Sequence, residues 1–131
     1  MDILVENMDF QKACCQWLEV ARYNRMSDKS TVLFGSVPSP YHLEQCNNYR
    51  VFKEVHTVLL HCEQEDRYNR LKDRGDIWSE ENIWLTIQEA EHIYETAVKG
   101  EVPIINTSEN SVEEVAKGLY YWIENILGNN H

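Results

Sequence analysis

Arg67, Arg70 and Arg74 stand at i, i+3 and i+7, with Lys72 between them. A helix over this stretch carries the three guanidiniums on one face. Guanidinium forks match phosphate oxygens in pairs, so such a face in an acidic chain suits a polyphosphate ligand. The plainer alternative is a solvated face paired with Glu63, Glu65, Asp66 and Asp73, and spacing alone does not separate the two.

Other polar groups fall at the ends of apolar runs. Gly35-Ser36-Val37-Pro38 is either a loop that brings its backbone close to a ligand or a simple strand exit. Asn106-Thr107-Ser108 follows the apolar Val102–Ile105. His56 and His61 are five apart and face opposite sides of any strand between them. With His42, His92 and His131 scattered, structural or surface roles are expected and no zinc site is. Cys14, Cys15, Cys46 and Cys62 form no CxxC, and the adjacent pair is a poor spacing for a metal or a disulfide. All four are expected to be reduced, mostly buried small hydrophobes.

The elements that position these groups follow from apolar periodicity. Phe10, Ala13, Cys14, Trp17, Leu18 and Ala21 predict an amphipathic helix over about 9–25, with Asp9 as a cap. Thr31–Gly35 reads as a buried strand, Ser36–Pro40 as loop, and Tyr41–Asn47 as a short helix. Val55–Cys62 is the strongest strand, read as central. Glu63–Arg74 predicts a helix closed by Gly75, and Asp76–Trp78 a turn. Ser79 caps the longest helix, whose seam is Ile83, Ile87, Ala90, Tyr94 and Ala97. Val102–Asn106 is a third strand with its proline near the start. Asn110 or Ser111 caps the last helix, which buries Val112, Val115, Leu119, Trp122, Ile123 and Ile126.

Strands alternating with helices predict a three-layer α/β domain with a short, mostly parallel sheet from about 31–35, 55–61 and 102–106. Sites in such domains lie beyond the carboxyl ends of the strands. At 131 residues, 43% hydrophobic, the chain has the material for a single domain over 1–131. Charged residues make up 26%, and no run approaches the roughly 20 apolar residues of a membrane span. The N-terminus has no basic flank before its short apolar run, so no signal peptide is expected and the cytoplasm is the expected compartment. Twenty-two acidic against 12 basic residues give a net charge of -10, which repels phosphate backbones and anionic membranes. Neither nucleic acid nor a membrane is an expected partner.

Taken in order, the motifs resemble a known family. Val58-Leu59-Leu60-His61-Cys62, followed by Glu65 through Gly75, is similar to the strand and arginine-bearing helix that lead to the lid of P-loop nucleoside, nucleotide and shikimate-type kinases. Pro103 through Ser108, with Ser111 through Ala116, resembles that family's last strand, base-contacting loop and terminal helix. Thr31 through Ser36 resembles the strand that ends near the acceptor. The resemblance implies ATP and magnesium as cofactors. It also implies Arg70 and Arg74 as clamps on the phosphates, Arg67, Asn106, Thr107 and Ser108 around the nucleotide, and Gly35 and Ser36 near the acceptor substrate.

The chain departs from the family at its defining motif. Gly-x-x-x-x-Gly-Lys-Ser/Thr supplies the amides, lysine and hydroxyl that hold phosphates and magnesium, and no Gly-Lys dipeptide occurs here. The chain resembles the C-terminal portion of such a kinase, a truncated P-loop fold, and is expected to be inactive as it stands. The alternative is a non-catalytic α/β nucleotide-binding or protein-interaction module. Loss of the family's first strand would leave an exposed sheet edge, for which a homodimer or a rearranged sheet is the expected outcome.

Overall fold

The computed structural model describes residues 10–35, 43–75 and 77–128. The chain divides into two compact units, Met1–His56 and Thr57–His131.

In the first unit the predicted helix forms as α1, Phe10–Met26; its expected cap, Asp9, lies outside the described residues. Cys14, Leu18 and Ala21 recur at helical spacing and are buried, while Trp17, expected on the same seam, is exposed. Cys14 and Leu18 pack with Leu43 and Cys46, and Cys15, Tyr49 and Phe52 lie against them. Of the short helix expected over Tyr41–Asn47, Leu43 and Glu44 are helical, and Tyr41 and His42 lie outside the described residues; a 3-10 turn follows over Asn47–Val51.

Two expectations fail in this unit. Thr31–Phe34 joins no sheet, and Val32 and Phe34 are exposed. Its β-branched and aromatic residues favour a strand only when a neighbour supplies a ladder, and no described segment does. The cysteines are not all reduced either. Cys15 is bonded to Cys46, while Cys14 and Cys62 are free and buried. The adjacency of Cys14 and Cys15 was a misleading cue. α1 sets Cys15 against a segment 31 residues away, and the 5.4 Å between the Cα atoms lies within the roughly 4.4–6.8 Å that a disulfide spans.

The second unit runs β1 (Leu59–His61), α2 (Gln64–Lys72), α3 (Glu80–Lys99), β2 (Ile104–Asn106) and α4 (Val112–Gly128). The two strands pair in parallel, with Leu59 opposite Ile104, Leu60 opposite Ile105 and His61 opposite Asn106. The result is a small α/β unit with a two-stranded parallel sheet rather than three strands. Its ladder is shorter than the apolar runs because Pro103 has no N–H to extend it, although its carbonyl accepts from Leu59 N at 2.9 Å.

α3 carries the core. Ile83, Ile87 and Ala97 on its predicted seam are buried, and Ile83 and Ile87 pack with Leu71 beside Tyr68 and Trp78. Its cap forms as expected, with Ser79 accepting from Asn82 N. At α4, Ser111 Oγ accepts from Glu114 N at 3.1 Å and Glu114 Oε1 accepts from Ser111 N at 3.4 Å, a capping box. The face expected to be buried on α4 is only half-buried from Val115 to Ile126, and Val112, at the first turn, is 89% exposed. No described helix is long and apolar enough to cross a membrane.

Candidate functional site at the carboxyl ends of the strands

Parallel pairing ends β1 and β2 side by side and turns both following loops toward each other. Thr107 N donates to the His61 carbonyl at 2.6 Å, which carries the ladder one step past β2. Beyond it the two loops bind through side chains. Glu63 N donates to Ser108 Oγ at 2.8 Å and Asn106 Nδ2 to Glu63 Oε1 at 3.2 Å. Asn106 Oδ1 turns back to accept from Ser108 N at 2.9 Å, and Asn110 Nδ2 donates to the Asn106 carbonyl at 2.7 Å. Asn106 thus uses both ends of its amide to fix the loop.

Arg70 completes this arrangement from α2. Its Nη1 donates to Thr107 Oγ1 at 3.0 Å and its Nη2 to the Thr107 carbonyl at 3.2 Å. One fork grips one residue twice, which sets its angle as well as its distance. Four of the sequence-predicted site residues, Arg70, Asn106, Thr107 and Ser108, therefore meet. No family model, functionally described protein or solved structure matches this chain.

The other two arginines are placed differently from each other. Arg67 is half-buried on α2, and its backbone N–H bonds to the Glu63 carbonyl. Arg74 is not on the helical face expected of it, because α2 ends at Lys72. Asp73 caps the helix, its N–H reaching the Asn69 and Leu71 carbonyls. Gly75 then takes φ +98°, and Arg74 sits exposed in the turn between. Among the described residues no ion pair engages Arg67, Arg70 or Arg74, so the pairing with Glu63, Glu65, Asp66 and Asp73 does not form, while Arg70 and Arg74 are exposed.

Gly35 belongs to the first unit, where φ of 144° calls for glycine; Ser36 lies outside the described residues. Sequence reasoning missed Glu63 as a site residue. The sequence offers it only as one of several alternative ion-pair partners for the arginines, whereas its carboxylate and amide both serve the second loop. It also missed the support beneath the site, where the buried His61 ring stacks on Tyr94 of α3 at 4.2 Å.

A second polar cluster lies between α2 and α3. Tyr68 donates to Glu80 Oε1 at 2.7 Å and accepts from Lys72 Nζ at 3.3 Å. Hydrogen bonding to Tyr68, and then the charge of Glu80, hold the Lys72 ammonium above the usual lysine range. An open groove beside it is lined by Gln64, Glu65, Tyr68 and Trp84. Among the described residues no group of three His, Cys, Asp or Glu side chains is placed to hold a metal ion.

The strand-end arrangement presents guanidinium donors, hydroxyls and a carboxamide on an open surface, which is the chemistry of anion and heterocycle recognition.

Proposed function

We propose that the second unit is a nucleotide-binding element resembling the C-terminal part of an ATP-dependent nucleoside- or nucleotide-type kinase, built on a truncated three-layer P-loop scaffold and inactive as it stands. The observation that carries this reading is the Arg70–Thr107 fork. It joins the arginine-bearing helix after one strand to the loop after its parallel neighbour, where the resemblance puts the nucleotide. Asn106, Thr107 and Ser108 would border the base. Arg74 and Arg67 have the charge and the freedom to meet phosphates, while Arg70 orients the loop. Magnesium bound with ATP would neutralise phosphate charge. Turnover depends on the phosphate loop that the sequence lacks. A nucleotide-binding role agrees with a cytoplasmic location, with a small molecule rather than nucleic acid as partner.

Calorimetric titration of the full chain with ATP, GTP and their magnesium complexes tests the reading. Saturable binding that Thr107→Val abolishes, with no ADP formed, is the expected result. Failure of every nucleotide to bind at millimolar concentration would overturn it. Turnover of roughly 1–100 per second would overturn the inactivity.

One observation favours the second reading, a protein-interaction module or homodimer. The described sheet has two strands, so β1 keeps one edge without a strand neighbour among the described residues, and Leu60 on it is 40% exposed. A concentration-dependent dimer in sedimentation supports that reading, and a monomer at all concentrations removes it.

A further inference from the structure

The disulfide sits in a core of few side chains. Among the described residues of the first unit only Cys14, Leu18, Ala21, Leu43 and Cys46 are buried, and no strand ties α1 to the segment around Asn47–Val51. Among the contacts that join them are the packing of these few side chains, the Asn48 amide on the Glu19 carboxylate, the Gln11 amide on Cys46 Sγ at 3.4 Å, and the Cys15–Cys46 bond. Units with so little core depend on a covalent staple.

The two bonded cysteines differ in access. Cys46 is 4% exposed, while Cys15 is half-buried on α1. An incoming thiolate therefore reaches the bond from the Cys15 side. Cys14, the neighbouring thiol, is fully buried, and burial pushes its pKa up. It stays protonated and does not compete for Cys46 by internal exchange.

We propose that Cys15–Cys46 is a reversible redox latch on the first unit, opened by thiol–disulfide exchange at Cys15. A dithiol reductant supplies the electrons. One of its thiolates attacks Cys15 Sγ, the Cys15–Cys46 bond breaks, and the Cys46 sulfur leaves as a thiolate that takes a proton from water. The second thiol of the reductant then displaces Cys15 from the mixed disulfide. Both cysteines end as thiols and the reductant as its own disulfide, a two-electron exchange. Opening removes the covalent tie between α1 and the Leu43–Val51 segment and leaves their few apolar contacts and polar contacts such as the Asn48–Glu19 hydrogen bond to hold them. In a compartment with a reducing thiol pool the latch is open, and under oxidising conditions it closes.

The test uses the full chain with and without dithiothreitol, read by native-state maleimide labelling and amide hydrogen exchange. Without reductant, Cys15 and Cys46 resist labelling; with it, both react. Reduction lowers protection of α1 and Leu43–Val51 amides by about tenfold or more, and glutathione disulfide restores it. Cys14→Ser responds to the reductant as the parent chain does. Labelling of Cys15 and Cys46 without reductant, protection within about twofold after reduction, or failure of Cys14→Ser to reoxidise would each overturn the proposal. The Cys15→Ser/Cys46→Ser double variant exchanges like the reduced chain and ignores dithiothreitol. Should it fail to fold, the reductant titration of the parent chain decides.

Discussion

Arg70 and Thr107 are 37 residues apart in the chain and joined by two hydrogen bonds, one to the threonine hydroxyl and one to its carbonyl. The pair closes the chain from α2 to the loop after β2 without using the ladder. It fixes the loop's orientation at an exposed position where a single neutral bond would contribute little.

Arg70→Ala is therefore expected to act on binding more than on folding. On the proposed nucleotide-binding reading, affinity falls about tenfold or more, equivalent to about 1.4 kcal/mol, while stability to urea changes by less than about 1 kcal/mol. Arg70→Lys does not restore affinity, because an ammonium cannot fork. Equal losses in affinity and stability would contradict this division.

Ile83 and Val112 test where the core lies. Ile83 is 1% exposed against Ile87 and Leu71, and Val112 is 89% exposed. Ile83→Ala should cost about 2–5 kcal/mol in urea unfolding. Val112→Ala should stay within about 0.5 kcal/mol of the parent.

Two glycines should respond to alanine with opposite signs. Gly75 holds φ +98° with nothing within 4 Å of an added Cβ, so only backbone strain opposes the change, and Gly75→Ala lowers stability by about 1 kcal/mol. Gly118 is inside α4, where an added Cβ meets Ile105 Cδ1 at an ordinary 3.9 Å. Gly118→Ala raises stability by about 0.5–1 kcal/mol. Thermal unfolding of the two variants gives the signs directly.

Glu19 gives the pH dependence of the first unit. The hydrogen bond from Arg22 is the largest effect and burial, which opposes it, the next; the Arg22 charge and the Asn48 amide add to the lowering, and the Glu19 carboxyl lies below the usual glutamate range. The unfolded chain binds the proton more readily, so the pair's contribution is full above the unfolded pKa and is lost as pH falls through the folded one. Titration of the Glu19 carboxyl by NMR should give a value below that of an exposed glutamate, and Arg22→Ala should raise it. An unshifted value in the parent chain would refute the assignment.

The helices of the second unit were legible in the sequence because their signals are local. Ser79 and Ser111 cap where a hydroxyl precedes an acidic turn, and Ile83, Ile87 and Ala97 keep helical period. The carboxyl end of the last strand is legible for the same reason, which puts Asn106, Thr107 and Ser108 at the end of β2. What escaped depends on partners. Thr31–Phe34 has strand composition but no ladder. Glu63 looked like a charge for arginine until its backbone neighbour, Ser108, came into view. Arg74 kept helical spacing on paper, while the Asp73 cap and the Gly75 conformation ended the helix before it. The Cys15–Cys46 bond joins residues whose proximity no local pattern records.

The in-register pairing of β1 with β2 sets which changes of length the gene for this protein could absorb. A residue gained or lost between Val102 and Thr107 would slide the register by one position and turn each shifted side chain to the opposite face: a loss places Thr107 opposite His61 and a gain places Ile105 there, in the position of Asn106. A residue added in the turn between α2 and α3 shifts no ladder. Drift by insertion and deletion is thus open in that turn, whereas the approach to Asn106 can change its letters but not its count.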